Sequence, residues 1–122
     1  MALTGVLRAG FVQLRVFGMD EALAHYVDYI GLELVEKADD GRAYLRGYDE
    51  FNRHSIVLRE ADSPGVDVMA FKVVGDADLD AFEKRIENFG LAVDHVATGE
   101  QPSVGRRIGF TLPSGHCIEL YA

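Results

Sequence analysis

The sequence predicts an α+β fold in which two tandem β-α-β-β-β units form a curved mixed sheet with helices on its convex side. Apolar and polar residues alternate with period two in several short segments, and two longer segments have helical spacing. The order of these elements restarts after a turn-rich connector at residues 60–65. The 122 residues suit one domain, 1–122, with a first unit at about 8–60 and a second at about 66–122.

The first unit is predicted to begin with a strand over residues 11–17, where apolar side chains stand at 12, 14 and 16. Asp20 is the expected N-cap of a helix over 20–30, and Gly31 is placed to end that helix in the left-handed conformation. The turn Asp39-Asp40-Gly41 indicates a hairpin between strands over 32–36 and 43–48. A strand over 55–60 completes the unit.

The second unit is predicted to repeat this order. A strand over 66–74 precedes a helix over 76–89, whose apolar face contains Leu79, Phe82, Ile86 and Phe89, and Gly90 ends that helix. Strands follow over 91–96, 106–112 and 117–121.

The restart is a sequence repeat. Residues 15–18 match residues 72–75 at an offset of 57, Gly31-Leu32 matches Gly90-Leu91 at 59, and residues 54–58 match 116–120 at 62. Offsets that grow in small steps indicate two homologous units that differ by short insertions.

Composition excludes several classes of protein. The formal net charge of −8 argues against nucleic-acid binding and against an anionic membrane surface, since both need a positive footprint. One cysteine, Cys117, allows neither an intramolecular disulfide nor a zinc site built from several cysteines. The first eight residues do not read as a secretory signal, so a reducing, cytoplasmic location is expected.

Four segments carry a family resemblance: GFVQLRV at 10–16, AHYV at 24–27, VLREADSPG at 57–65 and PSGHCIELYA at 113–122. Together with the paired units, they resemble the amino-terminal domain of catechol 2,3-dioxygenases. These are extradiol ring-cleavage enzymes of the vicinal oxygen chelate superfamily, which also contains glyoxalase and bleomycin-resistance proteins. The resemblance covers the whole chain.

The resemblance implies that the chain is the first half of a two-domain enzyme. Such an enzyme uses Fe(II), held by two histidines and one glutamate in its carboxyl-terminal domain, to cleave catechol with O₂ to 2-hydroxymuconic semialdehyde. The implied partners are the chain's own carboxyl-terminal domain, other subunits and a small aromatic diol.

The resemblance also indicates where a metal ligand would lie in each unit, namely on the first and last strands. The corresponding positions are Phe11 and Val57 in the first unit and Val68 and Glu119 in the second. Glu119 alone among them can ligate, whereas functional sites need about three protein ligands. We therefore expect no catalytic, cofactor-binding or metal site in this segment, and a salt bridge from Glu119 to Arg15, Lys72 or Arg59.

The other residues that could bind a metal or react, namely the four histidines, Cys117 and two arginines, are interpreted as structural. His25 reads as a helix-surface residue, His54 and His116 as turn residues before strands, and His95 as a strand-edge residue. Cys117 is expected to be packed in its strand. The Arg106-Arg107 pair is expected to be solvated.

Three functions remain open at this stage. The first is a non-metal-binding domain of an extradiol dioxygenase that is inactive alone. The second is a stand-alone dimeric protein that binds a small aromatic ligand, as resistance proteins of the superfamily do. The third is a small metalloenzyme of the glyoxalase type, against which the missing ligands argue.

Overall fold

The computed structural model describes residues 5–50 and 52–122, so the first four residues of the segment tested for a signal sequence lie outside it. The described residues form two compact units. The first is Phe11–Asp67, and the second is Val68–Ala122 together with the described residues up to Gly10. The chain passes between the units within its first and fifth strands.

The α+β class and the β-α-β-β-β order of each unit are confirmed. In chain order, the elements in the described residues are β1 Val6–Val16, α1 Met19–Leu23, a π-helical segment Ala24–Tyr29, β2 Glu33–Lys37, β3 Ala43–Arg46, β4 Ile56–Glu60, β5 Gly65–Val73, α2 Asp76–Phe89, β6 Asp94–Val96, β7 Arg107–Thr111 and β8 Cys117–Tyr121.

Each unit contains a mixed four-stranded arrangement. In the first unit the strand order is β2-β3-β4-β1, and in the second it is β5-β8-β7-β6. The first and last strands of each unit, β1 with β4 and β5 with β8, run parallel, and the other neighbours are antiparallel.

A small apolar core lies between the helix and the strands of each unit. The first core is built on Met19, Ala43, Leu45 and Leu58, and the second on Val73, Leu79, Ile108 and Leu120. Because strand residues alternate between faces, every second side chain of each strand lies on the face away from its helix. Phe11, Val57 and Glu119 lie on that opposite face.

The helix of the first unit differs from its prediction. It begins at Met19 rather than after Asp20, with Gly18 as its N-cap. The Glu60 carboxylate on β4 accepts a hydrogen bond of 3.1 Å from the Met19 backbone N–H, so a residue 41 positions away stabilises this helix end. From Ala24 the helix widens into π geometry, and the Ile30 N–H donates to the His25 carbonyl at 3.0 Å.

The predicted glycine stops are confirmed. Gly31 and Gly90 both have positive φ angles, of 94° and 107°, immediately after the helices. Helix α2 covers the predicted residues, but Phe89 does not lie on its buried face, because its side chain is 76% exposed. The Asp39-Asp40-Gly41 turn joins β2 to β3 as predicted, and the Ala38 N–H donates to the Arg42 carbonyl at 2.8 Å.

A charged network around Asp67 joins the start of β5, and the connector before it, to β1 and β4. Asp67 accepts hydrogen bonds from Arg15, Arg59 and Gln13 at 2.8–3.1 Å. Arg15 also donates to the carbonyls of Ser63 and Val66. These donors, Arg59 first, hold the pKa of the Asp67 carboxyl well below its usual range, although partial burial opposes them.

Replacing Asp67 with asparagine should destabilise the protein at neutral pH by about 1–2 kcal/mol, a modest value because the arginine partners are partly exposed. The folded-state pKa of Asp67 lies below its unfolded value near 4. Its stabilisation is therefore fully present above pH 4 and is lost as the pH falls below that value. Urea unfolding of both proteins between pH 3 and 7 tests this, with Asp62→Asn, on the connector that precedes β5, as the control. A stability difference that does not shrink below pH 4 would contradict the role of the charged carboxylate.

Replacing Gly10 with alanine should cost about 1–3 kcal/mol, because its Cβ would lie 2.2–2.6 Å from three atoms of the Tyr121 side chain. Gly105→Ala is the matched control within the same unit, since its Cβ would meet no atom closer than 4.0 Å. Thermal or urea unfolding of the two variants provides the comparison. Equal stabilities would show that the Tyr121 ring shifts without cost.

Candidate functional site

The two ligand-equivalent positions of the first unit are buried and apolar. Phe11 lies on β1, and its ring centroid is 5.9 Å from that of His54 in a tilted arrangement. Val57 lies on β4 and has no exposed surface. Neither side chain offers an oxygen, nitrogen or sulfur atom to a metal ion.

The strand register supports the sequence repeat with which these positions agree. In the first unit Val12 pairs with Ile56 across the parallel strands β1 and β4. The sequence offsets of 57 and 62 convert that pair into Met69 and Ile118, which pair across β5 and β8. The two parallel ladders therefore have the same register.

The ligand-equivalent positions of the second unit are Val68 on β5 and Glu119 on β8. Val68 is half-buried and apolar. The Glu119 side chain is 17% exposed, with an oxygen 3.1 Å from the guanidinium nitrogen Nε of Arg107. Glu119 pairs across the strands with Gly109.

Arg107 connects Glu119 to a second carboxylate. Its side chain is only 4% exposed and forms ion pairs with both Glu119 and Glu100, which lies in the loop between β6 and β7. The prediction that both arginines are solvated is therefore wrong for Arg107. Arg106 points elsewhere and pairs with Asp76 and Asp80 of α2.

The expected partners of Glu119 are also wrong. Arg15 and Arg59 are bound to Asp67, and the Lys72 ammonium lies 6.0 Å from the centre of the Tyr121 ring. The sequence contained a usable signal, because Arg107 and Gly109 alternate along β7 and so share a face. Only the antiparallel register, with Gly109 opposite Glu119, shows that Arg107 is its diagonal neighbour.

The electrostatics of Glu119 reflect this setting. Burial raises the pKa of its carboxyl group, and the positive charge of Arg107 opposes that rise, while the negative charge of Glu100 adds to it. The carboxylate is therefore stabilised mainly by one guanidinium.

These residues do not fit an Fe(II) ion. Across the part of the chain that the structure describes, no three His, Cys, Asp or Glu side chains come together in a way that could hold a metal ion. A divalent cation beside Glu119 would also be repelled by the buried charge of Arg107.

The histidines do not gather at one place. His54 lies just before β4, as predicted, and it is buried against the rings of Phe11 and Tyr44. His116 contacts Ser114 in the β7–β8 turn at 2.8 Å, which confirms its predicted turn role. His95 is exposed on the edge strand β6, as predicted, and pairs with Glu83 of α2.

Cys117 is exposed, so the prediction that it packs in its strand is wrong. It begins β8 opposite Thr111, and its sulfur lies 3.7 Å from the Thr111 hydroxyl. It shares a strand face with Glu119, away from the apolar core of its unit.

The first unit also contains an open cavity of about 560 Å³ that sequence reasoning missed. It lies where the chain turns from β1 into α1, and its lining residues are Phe17, Gly18, Met19, Asp20, Glu21, Lys37 and Glu60. The Glu60 carboxylate accepts a hydrogen bond from the Met19 backbone N–H, so it stabilises the start of α1.

No helix in the described ranges 5–50 and 52–122 is long and apolar enough to cross a membrane.

Comparison with protein families finds one match in the second half of the chain. Residues 66–122 match the model of the catechol 2,3-dioxygenase-like N-terminal domain. These residues cover α2 and the four strands β5–β8 that surround Glu119.

Individual relatives match nearly the whole chain. The metapyrocatechase of Pseudomonas sp. strain CF600 is 45% identical over 97% of this chain and 38% of its own length. The manganese-dependent 2,3-dihydroxybiphenyl 1,2-dioxygenase of Geobacillus genomosp. 3 is 25% identical over 95% of this chain and 36% of its own. The chain thus spans less than half the length of these curated relatives.

Solved structures agree with this. The crystal structure of the 2,3-dioxygenase LapB from Pseudomonas sp. KL28 superposes with a TM-score of 0.95 and 40% identity, covering 99% of this chain and 42% of that one. These likenesses confirm the predicted resemblance to the amino-terminal domain of catechol 2,3-dioxygenases.

Proposed function

We propose that this chain is the non-metal-binding amino-terminal domain of an Fe(II)-dependent extradiol dioxygenase that cleaves catechol with O₂ to 2-hydroxymuconic semialdehyde. The observation that carries the proposal is the state of the four ligand-equivalent positions. Phe11, Val57 and Val68 are apolar, and Glu119 is paired with the buried Arg107. A domain of this kind keeps the fold of the metal-binding repeats without their chemistry.

The proposal assigns iron, catechol and O₂ to a carboxyl-terminal domain. Fe(II) bound there by two histidines and a glutamate would supply the one-electron chemistry that amino-acid side chains cannot provide. The relatives support a metal-dependent parent enzyme, because the Geobacillus relative is named for its manganese dependence, and both it and the Pseudomonas sp. KL28 protein are named as dioxygenases. We place the whole enzyme in the cytoplasm.

The proposed partners of this chain are its own carboxyl-terminal domain and other subunits. Three large apolar side chains support this, because Tyr29, Ile30 and Phe89 are 83%, 56% and 76% exposed. Ile30 and Phe89 occupy equivalent repeat positions, each directly before the glycine that ends its helix. Aromatic residues such as Tyr and Phe are enriched at protein interfaces relative to the rest of the surface.

The gene that encodes this chain provides a direct test. We expect the reading frame to continue past codon 122 into a segment of similar length that carries two histidines and one glutamate at the repeat positions of Phe11, Val68 and Glu119. The product of that longer frame should turn catechol yellow, whereas residues 1–122 alone should not. A stop codon at that point would favour the stand-alone, ligand-binding dimer instead.

Iron analysis tests the metal-free state of this segment. Purified residues 1–122, incubated anaerobically with Fe(II) and desalted, should retain far less than one iron per chain, because fewer than three protein ligands cannot compete with water. Glu119→Gln is the matched variant, and it should retain the same small amount. One tightly bound iron per chain that disappears in Glu119→Gln would contradict the proposal.

A further inference from the structure

A metal-free unit that keeps a carboxylate at a ligand position must still neutralise it. Glu119 is largely enclosed, and burial disfavours its charged form. Unpaired buried charges are strongly destabilising, so such a carboxylate requires either a proton or a cation close by.

Arg107 is suited to be that cation. Its guanidinium is charged at every accessible pH, is 4% exposed and lies 3.1 Å from the Glu119 carboxylate. It also forms an ion pair with Glu100, whose side chain is 41% exposed. One arginine therefore joins a sheet carboxylate to a carboxylate of the loop between β6 and β7.

That loop, residues 97–106, has an ordered conformation. The Gly99 N–H donates to the Val104 carbonyl at 3.1 Å, and the Val104 N–H donates to the Gln101 carbonyl at 3.3 Å. Gln101 and Val104 are buried. Ser103 adopts a φ of +60°, which is unfavourable for a residue with a Cβ and persists only where surrounding contacts impose it.

We infer that Arg107 is the internal counter-ion that replaces a metal at Glu119, and that its second bond, to Glu100, fastens the loop at 97–106 to the sheet. This inference builds on the proposed metal-free role, but it concerns a coupling within the second unit. The iron measurements can therefore support the metal-free role while the coupling between Arg107 and Glu119 proves absent. Equally, the coupling can be present while the segment binds iron.

A double-mutant cycle between Arg107→Met and Glu119→Gln tests the counter-ion. Arg107→Met leaves Glu119 without its cation and should raise the unfolding equilibrium constant about 100-fold or more. Relative to the unmodified protein, the unfolding constant of the double variant should rise by a factor about tenfold smaller than the product of the two single-variant factors. The reason is that the neutral amide introduced by Glu119→Gln needs no cation. Urea unfolding at pH 7 gives all four values.

The control cycle pairs Glu119→Gln with Arg106→Met. Arg106 is adjacent in sequence but pairs with Asp76 and Asp80, so its coupling to Glu119 should stay within about twofold. A coupling at Arg107 no larger than that at Arg106 would overturn the inference. If Arg107→Met alone does not fold, recovery of folding in the double variant supports the inference, and failure of the double variant to fold counts against it.

Hydrogen exchange tests the loop attachment. Glu100→Gln changes only the exposed end of the network and should accelerate exchange at the Gly99 and Val104 amides about tenfold, with β8 amides unchanged. Glu87→Gln, an exposed glutamate on α2, is the control and should leave both regions unchanged. Unaltered exchange at Gly99 and Val104 in Glu100→Gln would show that the loop is held without Arg107.

Discussion

The parallel pairing of the first and last strands determines the organisation of each unit. Two parallel strands cannot be joined by a tight turn, so a helix and two further strands must separate β1 from β4 and β5 from β8. The helix covers one face and buries Leu58 in the first unit and Leu120 in the second. The other face is left to residues such as Val57 and Glu119, where a metal-binding repeat would place its ligands.

That two-faced arrangement explains why much of the fold was predictable. Period-two alternation, helical spacing and terminating glycines are local signals, and the repeat offsets of 57 and 62 reproduce the observed registers of both parallel ladders. The positions Phe11, Val57, Val68 and Glu119, which the family resemblance indicates, agree with the same offsets. Local patterns were sufficient because each strand's two faces have different environments.

The wrong predictions for the start of α1 and for the partner of Glu119 have a different physical origin, since both depend on contacts between residues on different elements. The start of α1 was misplaced because Glu60, 41 residues later, binds the Met19 N–H. The partner of Glu119 was misassigned because the register of β7 against β8 brings Arg107 beside it. The charge of Arg15 suits it to pair with Glu119, but Arg15 forms its ion pair with Asp67 instead. Its guanidinium also packs closely against Gly65, where a Cβ would lie 2.2 Å from it.

Charge pairing on the face away from the helix therefore differs between the units in a way that composition does not reveal. In the first unit two arginines share Asp67, and in the second two carboxylates share Arg107. Replacing a buried ion pair with apolar residues of similar size is often neutral or stabilising, whereas removing one member is costly. Without Arg107 beside it, Glu119 would be a buried charge with no cation close by. Arg107 supplies that positive charge from within the same unit, so the carboxylate on β8 depends on the register that places β7 next to it.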